Sequence, residues 1–566
     1  PDGHHPALVG TGGSRPAVYI DGRAGPPYST ISPWSALESG KPPPAVLAWS
    51  PDNVVIAYVA SKADQFVVVE NQHEGAPFDG IQGAAFSPVG HRLVYVARKG
   101  LQNTATNPMQ FYVVADGRTG PAYRSVRAVQ FSADGQHIGY FATTASGALP
   151  NHVVFDGHEG PGFGNIGDLH LSPGGGHYAY VGDTLRTNQI DKAVIVDGSP
   201  GPAYDAVRGI VFSTEGNHVA YFASKTRVMP QSQSRVVWTA VIDGKAGPEF
   251  QDLPNSSVVF SPDGQRTAYA GKAVAGAHWR TFAVIDGAKS IDYDECSNFM
   301  FSADGRHIAY LATNSGKSVV VLDGQESDAH QSIDPFSMRF SADGSRFGFV
   351  AQDESTWRVV VDGKPGAPRR DLIDGKSLEF SPDGQYFRFK IRNSSGDWNF
   401  VVDDHAESSA SPPSKMAMTS DWRHSATVVR AFPGDSYHEA LARQSGQPTG
   451  LIVALDGKTV GSDYEYVDLL EISADGRRVA YTISKREEAG KNSYHIVIDG
   501  REAATGYFRI TKMLFSPDSQ HVAYVAWADG SKQSVVIDGF AGPVFDAILG
   551  SPNEQPGAIQ FRPDGS

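Results

Sequence analysis

The segment at residues 431–450 combines several side chains that are suited to contacting another molecule. Phe432 and Tyr437 offer aromatic surface, His438 offers an imidazole, and Arg443 offers a guanidinium group. Aromatic and arginine side chains supply much of the binding energy at protein interfaces. We therefore predict that these four residues contact a ligand.

Four tryptophans stand beside other variable segments. Trp279, Trp357 and Trp398 each open a predicted strand just after such a segment, and Trp527 lies within one. Exposed indole rings bind peptides or glycans, whereas half-buried rings close the edge of a sheet by packing on the neighbouring strand. Both interpretations stay open, and the four tryptophans are included among the predicted binding residues.

Signatures of catalysis and of cofactor binding are absent from the sequence. Residues 434–438 read Gly-Asp-Ser-Tyr-His, which lacks the second glycine of a serine-hydrolase elbow. No His-Glu-x-x-His, P-loop or dinucleotide motif occurs. His4-His5 and the Asp-Tyr-Asp-Glu run at 292–295 are compact clusters of metal-ligating types, but two neighbouring ligands rarely hold a metal. We expect a non-enzymatic protein with no catalytic residue, no cofactor and no metal site.

Most of the aspartates belong to two turns that recur along the whole chain. The first turn reads Phe-Ser-Pro-Asp-Gly at 260–264, and the second reads Val-Ile-Asp-Gly at 241–244. Pro and Asp suit the centre of a tight turn, Gly suits a left-handed position, and Asp-Gly between apolar runs predicts a hairpin. These carboxylates therefore serve turn geometry rather than calcium binding. The first turn recurs about every 43 residues, which is the length of a propeller blade.

Each repeat contains four predicted antiparallel strands, A to D. Strand A precedes the first turn, strand B follows it, strand C is a β-branched run that ends at Asp-Gly, and strand D comes after that turn. Strand B carries an aromatic residue five positions after the turn glycine, at Tyr58, Tyr95, Tyr140, Tyr180, Tyr221, Tyr269, Tyr310, Phe349, Phe389, Tyr481 and Tyr524. Such sheets bury both faces only by stacking, so we predict an all-β fold of tandem β-propellers with about 13 four-stranded blades.

The repeat resembles the TolB-type propeller repeat, a relative of WD-repeat blades. The resemblance covers nearly the whole chain and rests on a Ser-Pro-Asp-Gly turn followed by an Ala-Tyr strand, as at 261–269, and on the related run at 516–524. It implies a propeller fold, and such propellers serve as scaffolds, cargo binders and enzyme gates. It also implies a place in the bacterial envelope or outside the cell, so we expect a periplasmic or secreted protein.

Thirteen blades exceed the four to eight that usually form one ring, so we predict two propellers at residues 1–297 and 298–566. The chain opens with strands B, C and D of one unit and closes with a lone strand A at 557–561. If that strand completes the first ring, the count becomes seven plus six. The alternatives are seven plus seven, a fragment of a longer array, or a homo-oligomer linked by exchange of the terminal strand.

Charge and composition restrict the partners. The net charge of −14 argues against bulk nucleic-acid binding, and no apolar run is long enough to span a membrane. The single cysteine, Cys296, allows no intrachain disulfide. The predicted loops between strands B and C hold 17 Lys and Arg against 11 Asp and Glu, whereas the recurring turns are acidic. We expect two faces of opposite charge.

Binding is predicted on the face that carries the B–C loops, because these loops vary while the turns repeat. The leading hypothesis is a non-enzymatic scaffold that binds a protein, peptide or glycan there. The alternatives are a self-assembling structural subunit, an enzyme whose carboxylates converge in the channel, and the accessory propeller of a hydrolase.

Overall fold

The structure is a computed structural model, and its strands form thirteen antiparallel sheets. It describes residues 7–11, 15–20, 22–33, 46–100, 108–186, 189–228, 234–253, 257–370, 372–392, 398–402, 415–420, 424–430, 450–456, 458–486, 492–503, 505–528, 532–545 and 561. Within these ranges all regular elements are strands, and no helix is present that is long and apolar enough to cross a membrane. The predicted all-β architecture of about thirteen blades is confirmed.

The first seven sheets follow one another along the chain. Sheet 1 contains β1 (Ala7–Thr11), β2 (Pro16–Ile20) and β3 (Arg23–Ala24); sheet 2 contains β4 (Thr30–Ser32), β5 (Ala48–Trp49), β6 (Ile56–Lys62), β7 (Gln65–Glu70) and β8 (His73–Glu74). Sheet 3 contains β9 (Gly80–Phe86), β10 (Leu93–Lys99), β11 (Gln110–Ala115) and β12 (Arg118–Thr119); sheet 4 contains β13 (Ser125–Phe131), β14 (Ile138–Thr143), β15 (Asn151–Phe155) and β16 (His158–Glu159). Sheet 5 contains β17 (Ile166–Leu171), β18 (Tyr178–Arg186), β19 (Gln189–Val196) and β20 (Ser199–Tyr204). Sheet 6 contains β21 (Ala206–Phe212), β22 (Val219–Val228), β23 (Ser234–Ile242) and β24 (Lys245–Phe250); sheet 7 contains β25 (Val259–Phe260), β26 (Thr267–Ala275), β27 (His278–Ile285) and β28 (Ala288–Lys289).

The remaining six sheets repeat the same order. Sheet 8 contains β29 (Glu295–Phe301), β30 (Ile308–Asn314), β31 (Lys317–Leu322) and β32 (Gln325–Glu326); sheet 9 contains β33 (Ser332–Ile333), β34 (Arg339–Phe340), β35 (Phe347–Asp353), β36 (Thr356–Val361) and β37 (Lys364–Pro365). Sheet 10 contains β38 (Leu372–Phe380), β39 (Phe387–Arg392) and β40 (Trp398–Val402); sheet 11 contains β41 (Lys415–Met418), β42 (Ser425–Arg430), β43 (Leu451–Leu455) and β44 (Lys458–Tyr464). Sheet 12 contains β45 (Val467–Ile472), β46 (Val479–Arg486), β47 (Asn492–Ile498) and β48 (Arg501–Glu502); sheet 13 contains β49 (Arg509–Phe515), β50 (Val522–Trp527), β51 (Gln533–Ile537) and β52 (Phe540–Phe545).

The chain divides into two compact units. The first consists of Pro1–Phe301 with Ile308–Ala312, and the second of Ser302–His307 with Thr313–Ser566. The predicted propeller boundary at residues 297 and 298 and the number of blades per ring stay predictions. The predicted terminal strand at 557–561 lies outside the described residues except for Phe561.

The first turn closes through a serine and an aspartate, as sheet 7 illustrates. Gly264 N donates to Ser261 O at 2.8 Å, and Ser261 Oγ donates to Asp263 Oδ1 at 2.5 Å. Ser261 Oγ also accepts the N–H of Arg266 at 2.9 Å. Gly264 has a φ of 70°, which confirms the predicted left-handed position.

The second turn closes through its own aspartate. Asp243 and Gly244 both have positive φ, at 46° and 76°, as a type I′ hairpin turn requires. Asp243 Oδ1 accepts the N–H of Val219 at 3.0 Å, and Asp243 Oδ2 lies 2.7 Å from His218 Nδ1. The turn between strands C and D is thereby bound to the first residue of strand B.

Aromatic side chains pack one sheet on the next. All eleven predicted strand-B aromatics are buried. At nine junctions an aromatic or histidine at or just beyond the end of strand D packs on the strand-B ring of the following sheet, with centroids 5.6 to 6.5 Å apart: Tyr28–Tyr58, Tyr123–Tyr140, Phe163–Tyr180, Tyr204–Tyr221, Phe250–Tyr269, Tyr293–Tyr310, His330–Phe349, Tyr464–Tyr481 and Tyr507–Tyr524. The core therefore lies between successive sheets.

Replacing Gly264 by valine should destabilise the fold by about 1–2 kcal/mol, because a β-branched side chain tolerates positive φ poorly. The new Cβ would also lie 3.2 Å from the Ser213 and His218 side chains. Gly176 lies in the corresponding turn of sheet 5, one position after the counterpart of Gly264. It has open space around it, so Gly176→Val serves as the control. Denaturant unfolding of both variants measures the difference, and equal stabilities would contradict the turn assignment.

Stability should depend on Asp343 in an acid window. Hydrogen bonds from the hydroxyls of Ser341 and Ser345 lower the pKa of Asp343 to about 2, below its ordinary value of 3.8. A depressed pKa stabilises the fold above the unfolded pKa, and this contribution is lost as pH falls through the folded pKa. Asp343→Asn should therefore melt below the unmodified protein at pH 6 and match it near pH 2. A melting difference that is constant from pH 6 to pH 2 would contradict this.

Candidate functional site

Extended B–C hairpins distinguish sheets 5, 6 and 7 of the first unit. Their strands β18, β19, β22, β23, β26 and β27 are eight to ten residues long, whereas β10 and β11 of sheet 3 have seven and six. The loops that the sequence predicts between strands B and C include residues 183–192, 224–235 and 271–280. This expectation is wrong for most of these residues, because cross-strand pairing continues to Arg186↔Gln189, Val228↔Ser234 and Ala275↔His278.

We call residues 225–227, 234–236 and 272–280 the hairpin tips; they belong to the neighbouring sheets 6 and 7. The two predicted loops from which they come, 224–235 and 271–280, hold five Lys and Arg and no Asp or Glu. The predicted excess of positive charge on the B–C side is therefore concentrated here. Alternating β-branched and basic residues, as in the Thr-Arg-Val run at 226–228, are typical of a strand. This pattern could have indicated that the hairpins extend into the predicted loops.

The tip of sheet 7 displays the predicted binding residue Trp279. Its side chain is 49% exposed, and Val274, its cross-strand partner, is 44% exposed. Lys272 Nζ lies 5.6 Å from the centroid of the Trp279 ring, within the range of a cation–π contact. The indole is thus held by neighbours while a large part of its surface stays open.

The tip of sheet 6 concentrates positive charge. Arg227 and Arg235 are directly opposite each other in the register of β22 and β23, and like charges at such positions repel. Glu249 Oε1 lies 2.5 Å from Arg227 Nη2 and neutralises that member of the pair. No described residue forms an ion pair with Arg235, and its neighbour Val236 is 47% exposed.

The other predicted binding residues are distributed differently. Phe432, Tyr437, His438 and Arg443 lie outside the described residues, and so does the side chain of Trp398, whose backbone begins β40. Trp357 is half-buried in β36 against the core around Val350, so it packs as the structural alternative proposed. Trp527 ends β50 instead of lying in a loop, because its backbone pairs with Gln533.

Groups that could support catalysis or metal binding are dispersed or engaged in the part of the chain that the structure describes. No three His, Cys, Asp or Glu residues there are placed to hold a metal ion. Asp294 binds Arg280, and Asp292 lies 3.0 Å from Lys289. Burial raises the pKa of Cys296 to about 12, which keeps the thiol protonated. His4 and His5 lie outside the described residues.

Two described carboxylates have a raised pKa. Burial is the main cause that raises the pKa of Glu70 and of Glu471. Glu70 belongs to the first unit and Glu471 to the second.

Comparisons with known proteins reach only the level of the fold. No family model and no curated protein matches the chain. Among solved structures, the β-propeller domain of the Trilobed protease from Pyrococcus furiosus is 13% identical, with 58% of this chain and 98% of that one covered and a TM-score of 0.24. TolB from Acinetobacter baumannii is 13% identical, with 55% and 82% covered and a TM-score of 0.18. A eukaryotic initiation factor is 13% identical, with 71% and 94% covered and a TM-score of 0.27. These similarities are too low to carry an argument about activity.

Proposed function

We propose that the protein is a non-enzymatic β-propeller scaffold that binds an acidic protein or peptide through the hairpin tips. The observation that carries this proposal is the combination of an exposed tryptophan, exposed valines and an arginine that no described residue neutralises. We retain the bacterial envelope or the exterior as its place of action, because its repeats resemble those of TolB-type propellers.

Electrostatics favours an acidic partner at this surface. The chain as a whole carries a net charge of −14, whereas the two tip segments contain no acidic residue. An acidic polypeptide would be repelled by most of the surface and attracted to the tips, which favours a productive orientation on encounter.

Side-chain types at the tips favour a protein or peptide over a purely ionic ligand. Trp279, Val274 and Val236 present apolar surface next to cationic groups. Tryptophan and arginine are the residues most enriched among those that dominate interface energies. The apolar side chains provide affinity, and Arg235 and Lys272 select the charge of the partner.

The use of the recurring aspartates supports a role without catalysis. Those of the first turn accept hydrogen bonds from serine hydroxyls and backbone N–H groups, as Asp304 and Asp518 do. Those of the second turn bind histidine or arginine, as Asp323 and Asp362 do. These carboxylates are committed to the fold, and turnover of a substrate by the purified chain would contradict the proposal.

A labelled copolymer of glutamate and tyrosine is a suitable probe, and fluorescence anisotropy measures its binding. Arg235→Glu and Trp279→Ala should each weaken binding about tenfold, because one reverses a charge and the other removes the main apolar anchor. Arg306→Glu is the charge-matched control, since Arg306 is 82% exposed and belongs to the turn between strands A and B of sheet 8 rather than to a B–C hairpin. An equal loss of binding affinity in all three variants, or an affinity that does not change with salt concentration, would contradict a specific site at the hairpin tips.

A second candidate function, self-assembly, is favoured by two exposed apolar side chains. Phe545 occupies the strand-D position at which Tyr204 and Phe250 pack on the next sheet, yet it is 48% exposed. Leu8 occupies the strand-B position of Tyr58, yet it is 57% exposed. Each side chain presents a surface that the other sheets bury, so Phe545 of one copy fits against Leu8 of another.

If copies associate in this way, the molar mass measured by light scattering should rise with protein concentration. Phe545→Asp should abolish the rise, because it places a charge in the contact. Phe540→Asp is the control, since Phe540 is 82% exposed but lies outside the junction position. A constant monomer mass at all concentrations would exclude this second function.

A further inference from the structure

Grooves recur at the same place between successive sheets, on the side of the turns rather than of the hairpin tips. One lies between sheets 3 and 4 with a volume of about 630 Å³, one between sheets 5 and 6 with about 410 Å³, and one between sheets 12 and 13 with about 610 Å³. These volumes fall in the range of small-ligand sites. Each groove is bordered by the Asp-Gly turns of both sheets.

The size of two side chains determines whether this space is open. In the groove between sheets 3 and 4, the end of strand C is Ala115 and the start of the next strand B is Ile138. The equivalent residues between sheets 4 and 5 are Phe155 and Tyr178, whose rings stack with centroids 4.7 Å apart. Aromatic side chains at these two positions therefore fill the space that smaller ones leave open.

Two of the grooves, one in each unit, share an arginine immediately after the Asp-Gly turn. It is Arg118 in the groove of sheets 3 and 4, and Arg501 in the groove of sheets 12 and 13. The third groove has Ser199 at this position. Apolar lining that is not buried comes from Ala115 and Pro121 in the first groove and from Ile498 and Ala503 in the second.

The other charged groups of the first groove are hydrogen-bonded within the fold. Asp116 binds Arg92 Nε at 2.9 Å and the N–H of Leu93 at 3.1 Å. Asp156 lies 2.6 Å from His137 Nδ1 and accepts the N–H of Ile138 at 2.9 Å. Arg118 forms no hydrogen bond or ion pair with a described residue, so its guanidinium is the charge left for a ligand.

The acidic groups of the second groove are also bound within the fold, and they include Glu502, which has no counterpart in the first groove. Asp499 binds Arg478 Nε at 2.9 Å, Asp538 lies 2.6 Å from His521 Nδ1, and Glu502 binds Lys485 at 2.7 Å. Arg501, like Arg118, has no ion pair or hydrogen bond to any residue that the structure describes. The two grooves share the arginine and the turn aspartates, and they differ at the residue after the arginine, which is Thr119 in the first groove and Glu502 in the second.

We propose that the grooves at Arg118 and Arg501 are two equivalent binding sites for a carboxylate with an apolar body. The guanidinium binds the carboxylate through charge-assisted hydrogen bonds, and the apolar body rests against the aliphatic side chains of the groove. These sites are separate from the hairpin tips, so the proposal goes beyond the function proposed above.

The probe for this proposal is 3-phenylpropionate, with 3-phenylpropionamide as its uncharged counterpart, in a calorimetric or saturation-transfer titration of the full chain. The carboxylate should bind at about two sites, and the amide about tenfold more weakly, because charge-assisted hydrogen bonds are the stronger ones. Arg118→Ala combined with Arg501→Ala should weaken carboxylate binding about tenfold, while Arg306→Ala should leave it unchanged. Unchanged affinity in the double variant, or equal binding of the amide, would overturn the proposal.

A second variant tests the geometry of the groove independently of its charge. Ala115→Phe combined with Ile138→Tyr copies the aromatic pair found between sheets 4 and 5, and it should remove one of the two sites while Arg118 stays in place. Ser199→Arg should add a site in the third groove. Retention of both sites in the filled variant would overturn the assignment. If the filled variant does not fold, the exposed Arg118 and Arg501 substitutions decide the question.

The source of the carboxylate is distinguished by two further probes. N-acetylphenylalanine carries a free terminal carboxylate, and acetyl-Glu-Phe-amide carries one on a side chain. Preferential binding of either supports the site and identifies the source, whereas failure of both to bind would overturn it. The hairpin-tip variant Arg235→Glu should bind all of these probes normally, so failure of the tip function and failure of the groove sites are separable.

Discussion

The hydrogen bonds of the aspartate in the Asp-Gly turn hold strands B and C together in most of the described sheets. The left-handed backbone of this aspartate costs roughly 1–2 kcal/mol for a residue other than glycine. The side chain offsets part of this cost by accepting a backbone N–H and by contacting a histidine or an arginine. These aspartates are 36–43% exposed, so water screens the side-chain pair and its contribution is about 0–1 kcal/mol. Sheet 2 lacks both the turn aspartate and its histidine or arginine partner. Its turn has Asn71, whose Oδ1 accepts the N–H of Ile56, and Val55 stands at the position that holds histidine or arginine in sheets 3 to 9 and 11 to 13 and Tyr386 in sheet 10.

The partner of the turn aspartate is a histidine in some sheets and an arginine in others, and this choice determines whether the contact extends to the next sheet. Arg346 binds Asp362 through Nε at 2.8 Å and extends Nη1 to the carbonyl of Gln385 in the turn of the next sheet, also at 2.8 Å. His218 binds Asp243 and instead packs under the turn of the next sheet, where a Cβ on Gly264 would lie 3.2 Å from the imidazole. Arginine therefore ties two sheets by hydrogen bonds, whereas histidine joins them by close packing that requires glycine.

Features that depend on neighbouring residues were predictable from the sequence, whereas contacts between residues distant in the sequence were not. The turns and the strand-B aromatics were predicted correctly because neighbouring residues decide them. The contact between the turn aspartate and a histidine or arginine is not predicted from the sequence. It joins one residue just before strand B to another just after strand C, and the two are 16 to 32 positions apart. The extended hairpins were read as loops, since only pairing between strands shows that the tip segments continue the sheet. Of the candidate binding residues with described side chains, Trp279 alone lies at the tips. The grooves depend on the relative size of residues such as Ala115 and Ile138 in different sheets, which no single repeat reveals.

A charged side chain that is already hydrogen-bonded or paired within the repeat is not available to bind a partner. The acidic turn side that composition predicts is largely bound internally, because serine hydroxyls, backbone N–H groups, histidines and arginines occupy its carboxylates. A residue becomes available for binding where one sheet departs from the common pattern, as Arg235 does on an extended hairpin and Arg118 and Arg501 do after their turns. In a chain made of near-identical blades, the side chains that the scaffold does not need are therefore the ones that mark its binding surfaces.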